Sequence, residues 1–264
     1  MIIFNQVMNV KYYDEILDLG VFSKKDIEKV IQNPKTAESF LSRSLKKGYI
    51  KRVKHNYYVA MDIVNNSPLY NKYIIATKLG RGNYISYHSA LEYRGFNNQV
   101  FNDLVYSGNN RVNDFEFEYI TYHFVQSKCD LQIESNYDGL RITSVERTMI
   151  DCIDQIDLAG GIEEIYRAFN SIHNINENKL LEILDFYNKK VLYQRSGYIL
   201  ETFKTNLGIS DAALNYLQSK IGSSKCYLNT SKKISNTTLD KKWNVCVPHY
   251  ISTILSKGSD MNEP

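Results

Sequence analysis

Between Lys35 and His55 the chain carries side chains whose types and spacing suit contact with a phosphodiester backbone. Thr36, Ser39, Arg43 and Lys46 recur at i, i+3, i+7 and i+10, a repeat that places residues along one side of a helix. Lys35 and Ser42 accompany that row, and Lys51, Arg52, Lys54 and His55 follow shortly after it. Hydroxyl, ammonium and guanidinium groups donate to phosphate oxygens and base edges, and the short ones leave room for a helix to enter a major groove. A second set, Ser86, Ser89, Arg94, Arg141, Glu146, Arg147 and Asp151, has the residue types of acid–base chemistry. It lacks the settings that such chemistry needs: no GxSxG elbow, P-loop, HExxH or Gly-Ser with paired carboxylates surrounds it. The five histidines, His55, His88, His123, His173 and His249, have no metal-ligand spacing. Glu116 and Glu118 are spaced as in some metal nucleases, but no lysine stands two positions after either. The sequence therefore predicts no catalytic residue, no metal and no cofactor. Arg147 and Asp151, one helical turn apart, read as an intrahelical ion pair.

The elements that must position the first set are legible as a series. A short helix from Lys11 to Leu19 stops at Gly20. Ser23, with Asp26 three residues on, opens a second helix that turns Ile27, Val30 and Ile31 inward. Asn33-Pro34 is an N-cap followed by proline at the first helical position. The third helix buries Ala37, Phe40, Leu41 and Leu45 and ends at Gly48. Residues 49–60 then read as two strands around a His55-Asn56 turn, a basic β-wing. Three helices and a basic hairpin in this order describe a winged helix-turn-helix. Taken singly, each piece also describes an ordinary solvated surface, and winged helices serve as protein-binding modules too.

The remainder predicts a larger mixed α/β domain with a helical C-terminal half, so the fold class is α+β, divided at 1–75 and 76–264. Strands are expected near Tyr84-Ile85, over Val100–Tyr106, as one long strand over Asp114–Val125, and at Arg141–Thr143. Ser86 and Ser144 are candidate N-caps. Helices are expected over Gly161–Ser171, Asn178–Tyr193, Tyr198–Asn206 and Asp211–Ile221, with a last strand over Trp243–Val247.

Charge is distributed in keeping with that division. The net charge is +3, from 32 Lys+Arg and 29 Asp+Glu. Residues 1–60 hold 11 basic and 6 acidic residues, or +5, which leaves 21 against 23, or −2, elsewhere. The positive end is the one expected to approach phosphates. Four dispersed cysteines with no CxxC pair suit a reduced compartment. Met1 to Val10 lacks a basic leader region and no apolar run approaches about 20 residues, so the expectation is a cytoplasmic protein without a membrane partner.

Three blocks resemble the AbiEi family of type IV antitoxins, the regulator halves of abortive-infection operons. They are FLSRSLKKGYIKRVKHNYYVA (Phe40–Ala60), YISYHSALEYRGF (Tyr84–Phe96) and GLRITSVERTMID (Gly139–Asp151). The first is shared by many winged-helix regulators, whereas the second and third in this order are more specific. The resemblance spans roughly Lys11 to Phe186 and departs from the family at His55-Asn56, where a glycine is common; asparagine tolerates the positive φ of such a turn. The stretch after about Lys220 does not align with the family's pattern. The resemblance implies an N-terminal domain that represses its own operon by binding double-stranded operator repeats. It also implies a C-terminal domain, with the second residue set as its signature, that counteracts a nucleotidyltransferase-like toxin in phage defence without forming a stable complex. Two other readings stay open: a stand-alone winged-helix transcriptional regulator with a sensory C-terminal domain, and an enzyme acting on nucleic acid or nucleotides.

Overall fold

The computed structural model describes residues 12–97, 99, 101–228 and 236–251; the reading of Met1–Val10 lies outside them. The chain forms two compact units. One comprises Met1–Tyr84, Asn102–Ser127 and Asn136–Leu140, and the other comprises Ile85–Phe101, Lys128–Ser135 and Arg141–Pro264. The mixed α+β class is as expected from the sequence. A single cut after residue 75 does not describe the packing, because later segments return to the first unit.

The first unit begins with α1 (Tyr13–Leu19), β1 (Val21–Ser23), α2 (Lys24–Ile31), α3 (Pro34–Lys46), β2 (Ile50–Lys54) and β3 (Tyr57–Asp62). Gly20 ends α1 at φ 64°, and a Cβ there would lie 2.2 Å from the Tyr70 ring, so both backbone and space require glycine. The Asp26 carboxylate accepts from the Ser23 amide (2.9 Å) and hydroxyl (2.6 Å), which opens α2 as expected. Asn33 Oδ1 accepts from the Thr36 amide (3.0 Å), with Pro34 next in the chain. Ile16, Phe22, Ile27, Ile31, Ala37, Phe40, Leu41, Ile50, Tyr58 and Ala60 form the core beneath the helices. Two strands were expected and the sheet has four: β3 lies between β1 and β2 and also pairs with β4 (Ser67–Pro68). Asn56 takes φ 61° in the wing turn.

Further along, α4 (Lys72–Lys78), which the sequence pattern did not reveal, packs on β6 (Asp103–Gly108). The stretch expected as one strand over Asp114–Val125 is a hairpin, β7 (Phe115–Phe117) and β8 (Ile120–Gln126). Its two turn residues, Glu118 and Tyr119, sit at φ 49° and 61°. That pair of left-handed conformations defines a tight hairpin turn, but neither residue is the Gly, Asn or Asp that signals one. The polar–apolar alternation runs through Glu118 and Tyr119 and changes phase only at Ile120, which conceals the turn. β8 lies between β7 and a parallel β6, and Phe115 stacks on Tyr122 across the hairpin at 4.6 Å.

In the second unit β10 (Arg141–Thr143) pairs in parallel with β5 (Tyr84–Ile85), through Ile142 and Ile85, and antiparallel with β9 (Ile133–Ser135). Helices α5 (Tyr87–Tyr93), α6 (Val145–Asp154), α7 (Ile162–Asn170), α8 (Glu177–Tyr187), α9 (Lys190–Thr202), α10 (Lys204–Leu207) and α11 (Asp211–Lys220) follow, with a 3-10 turn at Ile156–Ala159. The helix expected over Asn178–Tyr193 breaks instead at Asn188, which turns left-handed at φ 45°, and α9 runs through the gap expected before Tyr198. The last sheet has three strands in the order β11 (Cys226–Tyr227), β13 (Val245–Pro248), β12 (Thr237–Asp240). Trp243 precedes β13, is buried, and occupies the space over Gly197, where an added Cβ would come within 2.1 Å of its ring. All four cysteines are unbonded and buried.

Burial alone would raise the Asp26 carboxyl, but the hydrogen bonds from Ser23 and the nearby Lys29 ammonium outweigh it and hold it below its ordinary value of 3.8. A depressed acid stabilises the fold above its unfolded pKa, and that contribution disappears as pH falls through the folded value. Asp26→Asn, which keeps the shape without the charge, is expected to cost about 0.3–1 kcal/mol at neutral pH. In urea titrations at stepped pH its deficit should close below pH 3.8.

Candidate nucleic-acid interface

Helix α3 separates its two faces cleanly. Ala37, Phe40, Leu41 and Ser44 are buried, and Leu45 is only partly so. Lys35, Thr36, Ser39, Ser42, Arg43 and Lys46 are all exposed. Arg43 Nε donates to the Ser39 carbonyl at 3.3 Å, which lays the guanidinium back along the helix toward its N-terminal half. The helix therefore presents a continuous face of three cations and three hydroxyls to solvent.

The wing is less uniform than its sequence suggests. Arg52 is exposed, with its guanidinium 5.8 Å from the centre of the Tyr58 ring directly across the strand pair. His55 is exposed at the turn. Lys51 donates to Glu118 Oε1 at 2.7 Å. Lys54 is half-buried, 5.1 Å from the Tyr57 ring centre and 5.4 Å from that of Phe115, and burial lowers its pKa. Four wing contacts were expected with equal standing; two of them are held by the β7–β8 hairpin. The sequence carries no signal for this, since Glu118 lies 67 positions from its lysine.

Five of the seven residues of the second set are buried in the other unit, Arg94 and Arg141 are partly exposed, and each member whose bonds are resolved has a structural partner. Ser86 occupies the N-cap position of α5 without a side-chain capping bond, and both it and Ser89 are fully buried. Arg94 Nη2 donates to Glu134 Oε2 (2.7 Å) and the Thr143 carbonyl (2.8 Å). Ser144 caps α6 by accepting from the Arg147 amide at 3.1 Å, and Glu146 Oε1 accepts from the Asn176 amide at 2.9 Å. Arg147 and Asp151 pair at 3.3 Å with both side chains almost wholly buried. Arg147 also donates to the Leu131 carbonyl, and the Tyr187 hydroxyl donates to Asp151. Burial pushes the Asp151 carboxyl up against the pull of Arg147 and Tyr187. Burial and the neighbouring carboxylate together push the Tyr187 hydroxyl up. Arg141 is half-buried on β10 opposite Ser135. Among the described residues no three His, Cys, Asp or Glu side chains gather as metal ligands would, and no helix is long and apolar enough to cross a membrane.

No family model matches the chain, and no curated protein is similar to it in sequence. Among solved structures it is similar to the RV2827C protein from Mycobacterium tuberculosis, with a TM-score of 0.66 over 96% of this chain and 97% of that one. At 10% identity that likeness shows a shared fold alone.

Arg147→Met is expected to lower unfolding free energy by roughly 3–5 kcal/mol, because it strands a buried carboxylate. Arg147→Met with Asp151→Leu should recover most of the loss in urea denaturation. A double variant no better than the single one would show that the pair is not the cause.

Proposed function

We propose that the first unit binds double-stranded DNA, with α3 in the major groove and Arg52 and His55 of the wing along the backbone or in an adjacent minor groove. The observation that carries this reading is the exposed face of α3: six donor residues in solvent on a helix whose opposite side is core. The concentration of positive charge in residues 1–60 supports it.

The resemblance in Tyr84–Phe96 and Gly139–Asp151 extends the proposal. The protein acts in the cytoplasm as a type IV antitoxin that represses its own operon at repeated sites and counteracts a nucleotidyltransferase-like toxin in phage defence. Opposition to the toxin takes place without a stable complex. The buried partners of the signature residues favour a non-enzymatic role for that unit.

Gel-shift titration on the upstream region of its own operon, at several salt concentrations, tests DNA binding. With Lys35, Arg43, Lys46 and Arg52 as the cations that contact phosphate, log K is expected to fall against log[salt] with a slope of about −3 to −4. Arg43→Ala and Arg52→Ala should each reduce that slope by about one. Retardation that ignores salt, or none at all, would sink the claim.

For the antitoxin role, the full chain is co-expressed with the neighbouring toxin-like gene. Growth should be restored by wild type and also by the Arg43→Ala/Arg52→Ala double variant, which no longer represses a promoter reporter. Failure of the wild-type chain to restore growth would refute this half of the proposal.

A further inference from the structure

The β7–β8 hairpin holds two of the wing's cations, and it does so with rigid parts. Glu118 is fixed at the first position of a two-residue turn closed by the Phe117–Ile120 pair. Lys51 stands on β2 where Ile50, Lys51 and Arg52 pair in register with β3, ahead of an irregularity at Val53. Both side chains keep about a third of their surface in solvent, 39% for Lys51 and 34% for Glu118, so Lys51 is open to a phosphate that would compete with Glu118 for it. Beside them Phe115, stacked on Tyr122, underlies the Lys54 ammonium. A surface ion pair between two floppy side chains loses most of its Coulomb gain to entropy and screening. Here the backbone has already brought the partners together, and less remains to be lost.

We propose that Glu118 is a built-in counter-charge that withholds Lys51 from phosphates and so sets the background DNA affinity of the winged-helix unit. The inference rests on the DNA-binding reading above and deepens it. Non-specific affinity is almost wholly electrostatic, and each phosphate neutralised adds about 0.9 to the salt slope. Removing one cation from that sum weakens binding to all sequences equally and leaves the base-reading face of α3 untouched, so it lowers background affinity without changing the ratio between sequences. Glu118 therefore acts as an affinity-setting residue from outside the segment that touches DNA.

The test is fluorescence anisotropy of the full chain with a labelled mixed-sequence duplex two helical turns long, across a salt series. It compares wild type, Glu118→Gln, Lys51→Ala, their combination, and Arg43→Ala as a control on the DNA reading itself. Glu118→Gln is expected to bind severalfold tighter at low salt, with a slope steeper by about 0.9. Lys51→Ala alone should leave the wild-type slope unchanged, and adding it to Glu118→Gln should abolish the gain. A Glu118→Gln slope equal to wild type overturns the proposal. So does a gain that survives in the double variant, which would reflect general repulsion by the carboxylate. A loss of about one unit of slope in Lys51→Ala alone also overturns it, because Lys51 would already reach phosphate. If wild type, Glu118→Gln and Arg43→Ala all fail to bind in a salt-dependent way, the DNA reading falls and the proposal falls with it. If wild type binds and loses slope in Arg43→Ala, that reading stands, and the Glu118 and Lys51 variants decide the inference alone.

Discussion

At the centre of the second unit two opposite charges are sealed from water on one helix. Arg147 and Asp151 lie a turn apart on α6, almost every residue of which is buried. Such a pair adds little net stability over well-packed apolar side chains, but any shift that separates the two leaves an ion without solvent or partner. The requirement spreads outward. Arg147 must also meet the Leu131 carbonyl, Asp151 must meet Tyr187 on α8, and Glu146 must meet the amide of Asn176 just before α8 begins. A small error in the rotation of α6 would break all three bonds at once. The strand–helix blocks of this unit are therefore held in register by polar groups, and the apolar residues around them fill volume.

That arrangement changes the meaning of the sequence motifs. SVERTMID has the residue types of an active site, yet Ser144 is a cap, Glu146 a clamp on the next helix, and Arg147 and Asp151 an interior pair. Ser86 and Ser89 are sealed in the same way. In this chain these stretches serve packing and capping. The polar donors of α3 and the wing tip face solvent.

The winged helix was readable because each of its boundaries has a local cause: Ser23 with Asp26, Asn33 with Pro34, and Gly48 at φ 73°. The two faces of α3 follow from helical periodicity alone, with Ser44 in place of Leu45 at the inner edge as the one exchange. What escaped the sequence has non-local causes. β1 is three residues long, too short for alternation to show, and exists because β3 offers it a partner. The turn at Glu118-Tyr119 uses residues that disfavour it and is imposed by the pairing of β7 with β8. The break at Asn188 sits inside a stretch whose apolar spacing continues across it. The hold of Glu118 on Lys51 joins residues that no helical or strand period relates.

The division of the chain has a consequence for heredity. The backbone passes between the two units five times before it stays in the second, and the hairpin that grips the wing is encoded after the first helix of the other unit. A recombination event that transplants only the opening stretch of the gene would deliver a wing stripped of its hairpin. The same event would leave the recipient with an orphaned β-ribbon. Inheritance of this protein is therefore expected to be all or nothing. Its first unit and its larger second unit are expected to diverge together as one unit of selection, and the exposed face of α3 to change by point substitution, without the exchange of modules.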